Sequence, residues 1–215
     1  MEYPISLAVE DFVPVVLTTT GVLLLRRPLA STGVRQGVVV AATLIGTAGF
    51  TKATAKLIAA TGGPDLPWLR NLLFPLLTLG FGVLCLVAAS ARIGRVPPWL
   101  GYLVPGLTAA CALGAILAHD PIPMLLSTTV FATLTGSQLI LMARARGDNI
   151  AAGLFGTQLL VFFLLGPLAS RPDQTVTLQW IEQLCNTAAQ AAFLIAAWRL
   201  SAATVAAPTD EELIR

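Results

Sequence analysis

The chain has 215 residues, 56% of them hydrophobic and 11% charged, with a mean hydropathy of +0.80. An ordinary soluble domain is about 25% charged, so a water-soluble globule is excluded. The formal net charge of +2 is small and sits in loops, which leaves no nucleic-acid footprint.

Seven apolar runs follow one another at 5–25, 37–60, 70–91, 99–118, 122–143, 150–169 and 176–198. Each is near the roughly 20 residues that a helix needs to cross a hydrocarbon core about 30 Å thick. The runs are continuously apolar and do not alternate with period two, which selects helices over barrel strands. The expected fold class is therefore an all-α polytopic membrane protein. A seven-helix transmembrane domain occupies 1–199, and a short cytoplasmic tail at 200–215 is too brief to fold alone. The first run carries Glu10 and Asp11 and lacks a basic leader and a small-x-small cleavage site, so it reads as a retained span.

Positive loop residues mark the cytoplasmic side. Arg26, Arg27 and Arg35 follow the first run, Arg92 and Arg95 the third, Arg144 and Arg146 the fifth, and Arg199 and Arg215 the seventh. Only Arg70 and Arg171 lie in loops on the other side. This places the N-terminus outside and the C-terminus inside, and a prokaryotic cytoplasmic membrane is the simplest setting. Cys85, Cys111 and Cys185 fall within apolar runs, where a thiol acts as a small hydrophobe, so no disulfide framework is implied.

Short matches recur at a spacing of about 112–115 residues. Thr18-Thr19-Thr20-Gly21 parallels Thr133-Leu134-Thr135-Gly136, Leu66-Pro67-Trp68-Leu69 parallels Leu178-Gln179-Trp180-Ile181, and Gly46-Thr47 parallels Gly156-Thr157. They read as a 3+1+3 plan of parallel repeats, 5–91 and 122–198, joined by a linker helix at 99–118. A two-helix rhythm competes with this reading, because Asp11, Asp65, Asp120 and Asp173 recur about every 54 residues. Parallel repeats about an axis along the membrane normal occur in transporters such as SWEETs, and seven spans with an external N-terminus resemble the opsin layout. Both are analogies of architecture alone.

Charges within the runs carry the most information, since each costs about 2.5–3.5 kcal/mol at the bilayer centre. Glu10 and Asp11 in span one, Lys52 and Lys56 in span two, and Glu182 in span seven lie at similar depth below the external surface, with Arg70 at the mouth of span three. The bland account is that lysines snorkel and that a helix N-terminus favours acids. Against it, Lys52 and Lys56 are positive residues on the external side, and their spacing of four puts them on one face, with Gly49 one turn deeper.

In span seven, Gln179, Glu182, Gln183, Asn186 and Gln190 form a polar stripe that would be costly against lipid. Two more stripes are expected to face the same interior: Glu10, Pro14, Thr18 and Gly21 on span one, and Asn71, Pro75, Thr78 and Gly82 on span three. Pro14 and Pro75 each remove a helix hydrogen bond and allow a kink. Gln138 and Gln158 are single interior polar residues.

His119, the chain's one histidine, reads as a solvated turn residue, which excludes a bis-His haem carrier and a multi-His zinc hydrolase. No phosphate-binding glycine loop or Ser-His arrangement occurs. The only lysines are on span two, so a conventional opsin with a span-seven Schiff base is also set aside. No catalytic residue, metal site or cofactor is expected.

The leading functional reading is a small transporter or channel for a small polar, anionic or zwitterionic solute. Lys52, Lys56 and Arg70 would meet the anionic group, Glu182 would exchange a proton or pair with lysine, and Gln183, Asn186 and Gln190 would line the path. Glu10, Asp11 and Asn71 would complete the site. The alternatives are a noncatalytic subunit or sensor, whose polar stripes hold together its own helices, a second copy or a membrane-protein partner, and an intramembrane lipid-modifying enzyme using Glu10, Asp11 or Glu182.

Overall fold

A computed structural model describes residues 4–29, 34–169 and 175–205. Arg171, Asp173, Arg215 and most of the 200–215 tail, invoked above, lie outside the described residues. The described elements are helical: α1 (Ile5–Glu10), α2 (Phe12–Leu24), α3 (Val34–Ala60), α4 (Pro67–Asn71), α5 (Leu73–Ile93), α6 (Pro98–Ala118), α7 (Ile122–Ala145), α8 (Asn149–Ala169) and α9 (Val176–Val205).

Two interruptions share one cause. α1 gives way to α2 at Asp11, three residues before Pro14, and α4 gives way to α5 at Leu72, three residues before Pro75. A proline has no N–H for the carbonyl four residues back, and its ring presses on that carbonyl, here Glu10 or Asn71. Elsewhere the ends follow ordinary turn chemistry. Gly94 and Gly147 adopt φ of +78° and +74° after α5 and α7, a backbone state that glycine reaches without strain. His119 takes the same left-handed state after α6 and is exposed, as a turn residue should be.

Five segments are long and apolar enough to cross a membrane: Ile5–Leu24, Val34–Ala60, Pro67–Ile93, Pro98–Ala118 and Ile122–Ala145. The apolar stretch described for α8, Asn149–Leu165, is shorter. Large hydrophobic side chains face outward along these helices, among them Leu79, Ile116, Leu117 and Leu164. An apolar exterior on that scale marks a multi-pass membrane bundle rather than a water-soluble one.

Short connections make successive helices antiparallel neighbours. α2, α3, α5, α7, α8 and α9 pack in that order into a closed ring, with α9 returning to α2. α6 stands outside the ring against α7 and α5, joined to them by a small cluster of Cys85, Ala89, Leu100, Val104 and Phe131. The main core fills one end of the ring. There Leu25, Val38, Met142, Phe155 and Leu200 interlock near the α7–α8 turn. The other end, where α2, α5, α7 and α9 begin, is not filled in this way.

Candidate functional site

A cavity of about 280 Å³ occupies that less filled half, lined by all six ring helices. From Gln183 to Phe193 on α9 it runs about 15 Å at about 1.5 Å rise per residue. Its volume corresponds to about nine waters at about 30 Å³ each.

The walls differ in chemistry. α2 and α9 present Asp11, Thr18, Gln183, Asn186 and Gln190, and α3 adds Lys52. Opposite them, α5 presents only Leu73, Leu77, Phe81 and Leu84. The deep end closes around Ile45, Leu84, Leu139 and Phe193, while α8 contributes Gln158 and Phe162.

Glycines bring the polar wall together. A Cβ on Gly49 would lie 2.5 Å from Val15 Cγ2, and one on Gly46 would lie 2.9 Å from Thr19 Oγ1, so α2 and α3 approach along a small-residue face. Gly21 does the same for α2 and α9, where a Cβ would meet the Phe193 ring at 2.7 Å. Gly49 thus serves a close helix contact, and Lys52, three residues on, reaches the cavity wall.

Asp11 pairs with Lys56 at 2.7 Å, and its side chain is only 8% exposed. Lys52, half-buried, has no ion pair or hydrogen bond among the described residues, although the charges of Lys56, Asp11 and Glu182 all act on it. Thr187 donates to Glu10 Oε1, while Glu10 Oε2 is buried without a partner. The Thr18 hydroxyl lies 2.7 Å from the Pro14 carbonyl and 2.9 Å from Gln190 Oε1, and Gln190 Nε2 donates to Asn186 at 3.4 Å. Gln183 Nε2 is buried with no hydrogen-bond partner among the described residues.

The structure thus gathers Asp11, Lys52, Gln183, Asn186 and Gln190 around one cavity, with Lys56, Glu10 and Glu182 beside it. Arg70 pairs with Asp65 at 3.4 Å in exposed surroundings, and Asn71 is exposed, so neither lines the cavity.

The span-three stripe turns away from the interior expected for it. Thr78 is held toward α7 by the Met124 carbonyl, Ser127 and Thr128 at 2.9–3.0 Å, and a Cβ on Gly82 would face Val104 and Phe131. These hydroxyl partners fix the rotation of α5 and leave its leucine face toward the cavity. Gln138 is likewise spent on a helix contact, donating to the Cys85 carbonyl at 3.3 Å. The apolar wall itself was not foreseen, because leucine and phenylalanine serve lipid and cavity equally well.

At the opposite end a polar cluster ties distant segments together. Arg146 donates to the carbonyls of Leu200 at 3.1 Å and Pro28 at 3.2 Å. Arg199 donates to both Asp148 oxygens at 3.1–3.3 Å, and Asp148 also accepts the Ala151 N–H at 2.9 Å. The Ala151 N–H and the Arg199 guanidinium hold the Asp148 carboxyl below the usual carboxylate range. Burial lowers the Arg146 pKa from its ordinary value.

Among the described residues no three His, Cys, Asp or Glu side chains converge on a metal-sized site. Comparison of the chain with known protein families, characterised proteins and solved structures finds no match.

Proposed function

We propose that this protein is a small seven-span membrane transporter or channel, N-terminus outside and C-terminus inside, that accepts a small polar or anionic solute in the outer half of the bilayer. The observation that carries the reading is the central cavity, with four carboxamide side chains on its walls and a lysine, Lys52, that has no ion pair or hydrogen bond among the described residues. A dry structural bundle has no need of such a space, and buried polar groups without partners are costly unless something meets them. Trp68 near the α5 end and Trp99 and Trp198 near the other end are exposed, as residues of the two interfacial belts would be. The arginine-rich loops share the end of the bundle held by Arg146, which supports a cytoplasmic location for that end, and we take a prokaryotic cytoplasmic membrane as the simplest setting.

The ring also supports a 3+1+3 plan. Exchanging spans one to three for spans five to seven maps α2·α3 onto α7·α8, α3·α5 onto α8·α9, and α5·α7 onto α9·α2, and α6 alone is left over. In this reading the solute lies between the two three-helix units, and Glu182 sets the charge state of the Lys52 site.

Flux of small anions into proteoliposomes is the test. Lys52→Gln should cut uptake by about tenfold or more, the equivalent of one lost charge-assisted hydrogen bond, and Glu182→Gln should change its pH dependence. Uptake no faster than through empty liposomes for every solute would overturn the proposal. A second reading, a noncatalytic subunit, draws on the Thr18–Gln190 bond, which spends part of the polar stripe on joining α2 to α9. That reading predicts no flux, and co-purification of a partner or a stable homo-oligomer.

A further inference from the structure

The unsatisfied Gln183 Nε2, the lysine beside it and the one-sided apolar wall define the solute more closely than charge alone. We infer that the cavity binds a small amphipathic monocarboxylate, its carboxylate on Lys52 and Gln183 and its apolar body against α5 and the Phe193 floor. The inference rests on the solute-site reading above and narrows it to a ligand class.

The head-group argument is one of complementarity. Lys52 Nζ offers up to three donors and Gln183 Nε2 two, and a carboxylate brings acceptors and no donor. Among the described residues Lys52 has no bonded partner, and Gln183 Nε2 is buried without one. Of the two acids that act on Lys52, Asp11 is paired with Lys56 at 2.7 Å and does not repel an incoming anion at full strength, and Glu182 is the one the carboxylate must displace from the lysine's field.

The body argument is one of surface. An inorganic anion or a fully polar solute would strip water from its own polar groups against Leu73, Leu77, Phe81 and Leu84 and recover nothing there. An alkyl or aryl group gains from the same contact. At about 280 Å³ the cavity suits a short chain or a single ring, below the usual span of drug-sized pockets.

The test uses the full chain in lipid nanodiscs at neutral pH, with thermal unfolding followed against hexanoate, acetate, 1-hexanol, hexylamine and inorganic phosphate. Hexanoate should stabilise saturably and bind at least about tenfold more tightly than acetate, because each buried methylene is worth about fourfold. Lys52→Gln should weaken hexanoate by about tenfold or more while leaving the weak 1-hexanol response unchanged.

Ala132→Phe, which narrows the cavity from α7 and leaves Lys52 in place, should weaken hexanoate and spare acetate. This second variant keeps the test decisive if Lys52→Gln does not fold. Acetate or phosphate binding as tightly as hexanoate, in a Lys52-dependent way, would overturn the amphiphile inference and leave the solute site standing. A preference for hexylamine would overturn it by sign of charge. If no probe stabilises the wild-type protein, the inference falls together with the solute-site reading.

Discussion

Substituting Gly49 tests whether the α2–α3 contact behind the cavity is as close as described. A methyl group at position 49 would lie 2.5 Å from Val15 Cγ2 and 2.8 Å from Cγ1, against about 3.5–4.0 Å for a relaxed carbon contact. Both γ carbons stand in the way, so turning the stiff Val15 side chain exchanges one clash for another. The helices must part by about 1 Å, and overpacking of this kind costs about 1–3 kcal/mol. Alanine is also the better helix former by about 1 kcal/mol, so the net effect of Gly49→Ala alone is small and uninformative.

A cycle with Val15→Ala separates the two effects. The propensity gain appears in both legs and cancels, while removal of the γ carbons relieves only the clash. Unfolding of the four proteins, measured in one detergent at one scan rate, should therefore give a favourable coupling of about 1–3 kcal/mol. Coupling below about 0.5 kcal/mol would refute the close approach.

Two further outcomes are expected. Asp11→Asn should destabilise the protein by about 2–3 kcal/mol, somewhat under the usual cost of breaking a buried pair because Lys56 is 29% exposed. Lys56→Met in the same chain should recover most of that loss, and purely additive losses in the double variant would argue against the pair. At the other end, the lowered Asp148 carboxyl gives stability that is present at neutral pH and is lost as pH falls below about 4. Asp148→Asn should flatten that acid limb in thermal unfolding between about pH 5 and pH 3, and an unchanged slope would show that the Ala151 N–H and Arg199 contacts do not lower the carboxyl.

The helices were legible because lipid demands long, continuous apolar runs, which no loop of this chain imitates. Their ends were less so: α3 begins at Val34 and α9 continues to Val205, since arginines near the bilayer edge end an apolar run without ending a helix. Lys52, Gln183, Asn186 and Gln190 could be read as inward-facing because each is costly against lipid. Asn71 and Arg70 could not be placed, because residues at a helix mouth find water whichever way they point. The choice of Lys56 over Lys52 as partner for Asp11 also escaped the sequence. Both lysines lie on one helix face, so the sequence alone does not choose between them, and the structure brings Asp11 to Lys56. The exposed tryptophans near both ends are a further signal that the sequence carries.

The guanidinium of Arg146 has a mechanical consequence. It holds the carbonyls of Pro28 and Leu200, so segments 118 and 54 residues away in the chain meet at one point, beside the tightly filled core. At the far end side chains tie helices in pairs: Asp11 to Lys56, Glu10 to Thr187 and Thr18 to Gln190. The two ends are therefore joined differently: at one, a single guanidinium gathers two backbone segments beside a filled core, and at the other, pairs of side chains join helices around open space. Loss of the Arg146 guanidinium would release two chain segments at once, whereas loss of any one tie at the hollow end parts a single pair of helices.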